Sequence, residues 1–299
     1  MKEKKKVLTV IVTYNRLPLL RRCIQHVSVF SNLTDILIIN NSSVDGTEQY
    51  LIDNNIGHIT QPNGGSSAGW WRGISEAQSR GYEYVWLMDD DGFPDKDALK
   101  ILLASFTQNT ACVSSVVVKE NIPDELVFGM PKLNKKGNPV LFSFKRKYGR
   151  GAELKKKGNE YNFAHLFNGA LISTAVTNRI GNVNREYFLY GDEVDYFCKL
   201  RNAGTVFTQL NALHYHPDVS QRNIEKARVY YFVRNTIILN KLYFDHRLLR
   251  DFFTVGIALL RVLRRNGFLN SLSYLAGKNL KYLFYGIKDG YRMKMIKRI

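Results

Sequence analysis

The sequence predicts an α/β protein: a mostly parallel, doubly wound sheet flanked by helices, continued by a helical C-terminal extension. Three observations predict it. Short apolar runs alternate with amphipathic stretches from Val7 to about Val118, as in repeated strand–helix units. Each of the early apolar runs ends in a polar cluster, where open α/β sheets bind ligands. From about Asn223 the strand signals stop and apolar spacing becomes helical.

Val7 to Thr13 reads as a buried strand, followed by Tyr14-Asn15-Arg16 and a helix with Pro18 in its first turn. Leu19, Leu20, Cys23, Ile24 and Val27 form that helix's apolar face. Ile36 to Ile39 is a second strand and runs into Asn40-Asn41-Ser42-Ser43. Asp45 is placed to cap the next helix, with Glu48 three residues on. Ile56 to Thr60 is a third strand; it enters Asn63-Gly64-Gly65-Ser66-Ser67-Ala68-Gly69 and a helix reaching about Ser79. Tyr84 to Met88, continuously apolar, is a fourth strand that opens into Asp89-Asp90-Asp91-Gly92. A helix over Lys96–Asn109 and a strand over Ala111–Val118 follow.

Residues 120–162 are basic and rich in turns, which predicts an insertion or mobile flap. Order returns within Phe163–Ser173. Gly191-Asp192-Glu193-Val194-Asp195-Tyr196 opens a helix closed by Gly204, and its acidic residues suit the helix dipole. A strand from Val206 to Leu210 leads to His214-Tyr215-His216-Pro217. The expected organisation is one domain over residues 1–240 and a basic amphipathic helical extension over 241–299.

The 43 Lys and Arg against 26 Asp and Glu give a net charge of +17, which favours anionic partners such as nucleotide phosphates, nucleic acid or an acidic membrane face. A nucleic-acid role is disfavoured, because the carboxylates gather at strand ends where they would repel a phosphate backbone, and no nucleic-acid motif occurs. Cys23, Cys112 and Cys198 lie far apart in apolar contexts, so they read as reduced core thiols of a cytosolic protein. The lysine-rich start leads directly into a strand, which reads as no signal peptide, and no run of about 18 apolar residues could span a bilayer.

Asp89-Asp90-Asp91 carries the chemistry. Three carboxylates at a strand end repel one another and call for a divalent cation with oxygen ligands, above all one that also holds phosphates; a solvated acidic turn is the plain alternative.

Thr13-Tyr14-Asn15-Arg16, Asn40 to Thr47, Asn63-Gly64-Gly65, Asp89-Asp90-Asp91, Asp192-Glu193-Val194-Asp195 and Tyr230 to Asn235 resemble, in this order, the motifs of inverting family 2 glycosyltransferases of the GT-A fold. The resemblance covers roughly residues 7–240 and leans towards bacterial galactofuranosyl- and rhamnosyltransferases of surface polysaccharides. It implies a UDP- or dTDP-sugar donor, Mn²⁺ or Mg²⁺, and a lipid-linked glycan acceptor. By the same resemblance Thr13, Tyr14, Asn15, Arg16, Asn40, Asn63, Gly64, Gly65, Asp89 and Asp90 hold the donor. Asn40 stands where the family usually has an Asp facing the base. Asp91 binds the metal, with His216 fitting the pattern better than His214 and with Asp89 nearby. Asp192 and Glu193 are the candidate general bases, Glu193 being favoured. Trp70, Trp71 and Asp195 are candidates for the acceptor side, with one of the two tryptophans expected in the core. Arg234-Asn235 is expected to pair with the acidic cluster or phosphate, or to lie on a helix surface.

From Asp245 to Ile299 twelve Lys and Arg face three Asp, a surplus of +9. Phe268, Leu272, Leu275, Leu283 and Ile287 fall roughly on one helical face. This reads either as an interfacial helix on anionic lipid at the inner face of the cell membrane, or as helices covering the sheet or joining two subunits.

Overall fold

Val7–Thr13 is buried along its whole length, because helices cover both faces of the sheet it centres. In the computed structural model, which describes residues 5–219 and 223–296, the elements begin with β1 (Val7–Thr13), α1 (Leu17–Val27), β2 (Thr34–Asn40), α2 (Thr47–Asp53) and β3 (His58–Thr60). They continue with α3 (Ser66–Ser79), β4 (Tyr84–Asp89), β5 (Phe93–Pro94), α4 (Ala98–Ala104), β6 (Thr110–Lys119) and β7 (Ile122–Pro131). Next come β8 (Lys147–Arg150), α5 (Gly151–Lys155), β9 (Glu160–Tyr161), β10 (Asn168–Ser173), α6 (Thr174–Ile180), α7 (Asp192–Ala203) and β11 (Thr205–His216). Four helices close the chain: α8 (Lys226–Tyr243), α9 (Arg247–Asn266), α10 (Phe268–Ala276) and α11 (Leu280–Tyr291).

The chain forms two compact units. One comprises the chain up to Val183 together with Tyr196–Asp218; the other comprises Asn184–Asp195 and everything from Val219. In the first, the strand order is β3-β2-β1-β4-β10-β6-β11-β5, with β7 and β9 added at β6 and β11. β1 is parallel to both β2 and β4, and β11 is parallel to β6; β10 runs antiparallel between β4 and β6. Register places Thr13 beside Asn40 and Val12 beside Asp89, so the polar ends of three strands share one edge.

On one face Leu20, Cys23, Ile24 and Val27 of α1 join Ile11, Trp86 and Met88 in the core. On the other, α3 lies tightly on β1. A Cβ on Gly69 would sit 2.6 Å from Val12, and one on Gly73 2.3 Å from Val10. All three cysteines are buried and free.

Several expectations change. Residues 120–162 are not a loose flap. β7 pairs with β6 and β8, and Leu126, Met130, Leu154 and Tyr161 build a core with Val116, Val118 and Leu210. The basic turns had masked these widely spaced apolar positions. β11 runs on past Leu210 to His216, because after an irregularity between Gln209 and Leu213 it resumes pairing with Val116–Lys119. The two histidines therefore lie on the last core strand, not after it. α4 is shorter than expected, ending at Ala104; beyond it Thr107 and Thr110 form a hydrogen-bonded turn that starts β6.

The unit boundary also falls elsewhere than residue 240. Val229, Val233 and Ile237 of α8 form one core with Ala258 and Val262 of α9, Tyr274 of α10 and Leu283 of α11. α8 thus belongs with the helices that follow it. No helix among the described residues is long and apolar enough to cross a membrane.

Candidate active site

Five of the expected residues converge at the carboxyl end of β1, β4 and β11. Asp90 is buried; its Oδ2 accepts from Thr13 Oγ1 at 2.7 Å, and its Oδ1 accepts from Arg16 Nη1 at 3.1 Å. The same Arg16 nitrogen lies 2.9 Å from Asp91 Oδ2. The other Asp91 oxygen faces His216 Nε2 at 3.0 Å. Two-residue β5 makes this meeting possible: it leaves the aspartate turn and pairs with β11, His214 against Pro94 and Tyr215 against Phe93.

The electrostatics follow from burial. Desolvation pushes the Asp90 carboxyl up to about 6, against the pull of Arg16 and the Thr13 hydroxyl. For Arg16, burial alone would lower the guanidinium, but Asp90, Asp91 and Asp89 outweigh it and raise it. Three carboxylates against Arg16 leave two negative charges that this arginine does not compensate.

His216 carries a further constraint. Its Nδ1 is 2.7 Å from the Pro217 carbonyl, which can only accept, so Nδ1 holds a proton. Nε2 is then left facing the Asp91 carboxylate, either as the second donor of a charged ring or as one of two acceptors around a cation. A separation of 3.0 Å fits either arrangement. Among the described residues no three His, Cys, Asp or Glu side chains form a metal-binding group. Two protein ligands suffice where substrate phosphates and water complete the shell, the usual manner of Mg²⁺.

His214 stands apart from this pair. It is fully buried, and a Cβ on Gly92 would lie 2.3 Å from its Nε2 while one on Gly169 would lie 3.0 Å from its Nδ1. Burial, with His216 adding to it, pushes its imidazole down to about 3, so it is neutral, and neither ring nitrogen has a hydrogen-bond partner. Its ring lies against Gly92 and Gly169, while His216 alone faces Asp91 at 3.0 Å. Asp89 ends β4, half-buried, its backbone N–H donating to Phe167.

Other expected donor residues build the rim. Asn15 has a positive φ of 53°, a conformation asparagine tolerates, and its Oδ1 accepts from Val44 N–H while its own N–H donates to Ser43. Asn40 is buried; its Oδ1 accepts from Ser43 N–H and its Nδ2 donates to Thr60. Gly46, not Asp45, is the N-cap of α2; Asp45 accepts from the Thr47 hydroxyl and from the Leu17 N–H at the start of α1. Asn63 Oδ1 accepts from Gly65 N–H, and Gly65 takes φ 81° at the entry to α3. A Cβ on Gly64 would meet Ala68 at 2.7 Å. These loops are therefore fixed by their own side chains, leaving Tyr14 exposed at the mouth.

One contributor escaped the sequence. Arg22 Nη2 donates to the Asp91 carbonyl at 2.9 Å while its guanidinium grips both oxygens of Glu120. Nothing in the sequence links residues 22, 91 and 120; only the three-dimensional path does.

Trp70 is core: it is buried and stacked on Phe167 with ring centroids 4.5 Å apart, so it has no face for a sugar. Trp71 is half-buried and its carbonyl accepts from Asn182.

Asp192, Glu193 and Asp195 belong to the second unit and form the first turn of α7. Asp192 is buried, and desolvation, with the Glu193 charge beside it, pushes its carboxyl up to about 7. Its Oδ2 has no hydrogen-bond partner. Glu193 is half-buried. Asp195 is buried, and its Oδ1 accepts from the Tyr243 hydroxyl at 2.6 Å. Arg234 and Asn235, far from being on a helix surface, are both buried. Arg234 donates to the carbonyls of Glu186, Tyr187 and Ile296, and Asn235 Nδ2 donates to those of Tyr187, Leu189 and Tyr190. Together they fix the segment that leads into Asp192.

The profile of the family described as "Glycosyl transferase family 2" matches residues 9–168. Galactofuranosyltransferase GlfT1 of Mycobacterium tuberculosis is 30% identical over 223 residues, 71% of this chain and 70% of that protein. GlfT1 of Mycolicibacterium smegmatis is 28% identical over 219 residues, with the same shares covered. Among solved structures, the mannosyltransferase PcManGT of Pyrobaculum calidifontis, in complex with GDP-Man and Mn²⁺, superposes with a TM-score of 0.54 at 11% identity, covering 100% of this chain and 89% of its own. TarS of S. aureus gives 0.58 at 14% identity, covering 98% of this chain and 49% of its own. Those two likenesses show the GT-A fold. The match over more than half the chain, on strands whose ends carry Arg16, Asp90, Asp91 and His216, makes this protein a member of glycosyl transferase family 2 and a glycosyltransferase.

Proposed function

We propose that this glycosyltransferase transfers galactofuranose from UDP-galactofuranose, with inversion, to a lipid-linked or growing cell-surface glycan. The observation that carries the reaction type is the anionic cluster of buried Thr13, Asp90, Asp91 and His216, braced by the half-buried Arg16 guanidinium. The choice of sugar rests on the likeness to the galactofuranosyltransferases.

In this reading Asp91 and His216 hold Mn²⁺ or Mg²⁺, with Asp89 close by, and Thr13, Tyr14 and Arg16 receive the nucleotide. The ion supplies charge neutralisation for the departing diphosphate. Arg16, already poised between Asp90 and Asp91, provides a second positive charge to the phosphates. Asp90, held by Thr13 and Arg16, fixes the guanidinium's position. The acceptor hydroxyl attacks the anomeric carbon as the bond to the phosphate oxygen breaks, and its proton passes to a carboxylate. A single displacement of this kind inverts the configuration.

Between the two candidate bases, the environment favours Asp192 over Glu193. A buried carboxyl near 7 with an unshared oxygen is half-ionised at neutral pH and accepts a proton with little penalty. The second reading, rhamnosyl transfer from dTDP-rhamnose, uses the same groups.

A thermal-shift panel of nucleotide sugars with and without Mn²⁺ tests the proposal. A ligand at a hundred times its Kd stabilises the fold by about 2.7 kcal/mol. UDP-galactofuranose with Mn²⁺ is expected to give the largest shift. A larger shift with dTDP-rhamnose would replace the sugar, and equal shifts with and without the ion would remove the metal.

A further inference from the structure

The helices of the second unit turn many large apolar side chains towards water. Among the described residues, fourteen of the twenty-two exposed large apolar side chains lie between Leu242 and Ile296. Elsewhere such residues are scattered, apart from Phe142 and Phe144. On α9, Asp251, Thr254, Ala258 and Val262 face inward. Leu248, Phe252, Leu260 and Leu263 share the outward side, with Phe252 74% exposed and Leu248 72%. Phe268 and Leu269 of α10, the latter 80% exposed, and Phe284 of α11 add to it. So many exposed large apolar side chains on three successive helices point to something that covers them.

Charge says what that is. The segment from Asp245 carries a surplus of +9. Arg264, Lys278 and Lys281 are exposed, and none has a carboxylate partner among the described residues. A second copy of the chain would bring the same positive charge to the contact, whereas anionic headgroups neutralise it. No described helix is long and apolar enough to cross a bilayer; amphipathic helices are the kind that lie in its surface.

We propose that α9, α10 and α11 seat the protein on an anionic lipid bilayer, with Leu248, Phe252, Leu269 and Phe284 entering the acyl boundary and the lysines and arginines meeting the headgroups. This deepens the transferase reading, on which it rests only for the statement that the acceptor is carried on lipid.

The test is co-sedimentation of the full chain with phosphatidylcholine vesicles, with and without phosphatidylglycerol, alongside the triple variant Phe252→Ser, Leu269→Ser, Phe284→Ser. Each buried aromatic or leucine contributes about a ten-fold change in partitioning. Binding to the anionic vesicles is expected, weakened at least ten-fold on pure phosphatidylcholine and at least ten-fold in the variant, with the melting temperature unchanged. The single variant Leu269→Ser serves if the triple variant does not fold. Equal binding by variant and parent overturns the proposal, as does the absence of binding to phosphatidylglycerol vesicles. A dimer abolished by the variant, without vesicle binding, assigns the face to a second copy and overturns it too. UDP-dependent thermal stabilisation, measured without lipid, reports on the transferase site separately.

Discussion

At the scale of single residues, the pocket depends on Asp91 serving two neighbours, Arg16 through one oxygen and His216 through the other. Asp91→Asn keeps the shape but removes the charge; turnover is expected to fall at least a hundred-fold while the circular dichroism melt stays cooperative. His216→Ala should lower turnover comparably and weaken the Mn²⁺-dependent part of the donor thermal shift. Asp192 gives a prediction on stability. Its folded value near 7 lies above the ordinary 3.8, so the native state holds the proton more tightly than the unfolded chain. This group therefore adds stability as pH falls from about 7 towards 4, and that contribution is lost as pH rises through the same window. Melting temperatures of wild type and Asp192→Asn between pH 5 and 8 should diverge with rising pH, the variant gaining by several degrees. Parallel curves would show that the carboxyl is not strained. These carboxylates could be read from the sequence because aspartates at strand ends are conspicuous. Arg22 could not, since its partners Glu120 and the Asp91 carbonyl are brought to it only by folding.

At the scale of elements, close approach is the recurring device. α3 can lie on β1 because Gly69 and Gly73 present no side chain to Val12 and Val10. Gly73→Ala forces a methyl to within 2.3 Å of Val10. We expect it to cost about 1–3 kcal/mol, the usual penalty of overpacking, seen as a lower urea midpoint with the slope unchanged. Arg234 is the corresponding joint of the second unit. Arg234→Met keeps the apolar stem yet removes the guanidinium's bonds to the Glu186, Tyr187 and Ile296 carbonyls, of which Tyr187 keeps Asn235 and Ile296 keeps Tyr230 as a donor. A loss of about 3 kcal/mol is expected in chemical denaturation, with faster hydrogen exchange over residues 184–192. The alternation of strands and helices was plain in the sequence because both covered faces of the sheet demand continuous apolar runs. The stretch over 120–162 was not, because its apolar residues are spread among lysines and become a core only once β7 pairs with β6. Nor could an arginine within an otherwise helical pattern announce that it faces inward.

At the scale of the whole molecule, the chain separates into an α/β unit carrying the aspartate pocket and a helical unit that includes α8. The sequence placed that division at residue 240 because aromatic and apolar residues of α8 look the same whichever neighbour they pack on. The basic surplus of the tail was legible at once; which side of each helix stays wet was not, since Leu248 and Val262 differ only in the partner that folding supplies. That exposed leucine and phenylalanine side has a consequence at the bench. In aqueous buffer alone it has only other protein molecules to meet, so concentrated preparations should cloud or elute early on gel filtration. A mild detergent, or serine at Phe252 and Leu269, should restore a sharp monomeric peak. The yield of usable enzyme would thus be governed by greasy helices remote in sequence from the aspartates, and the first practical choice in handling it is what to dissolve it in.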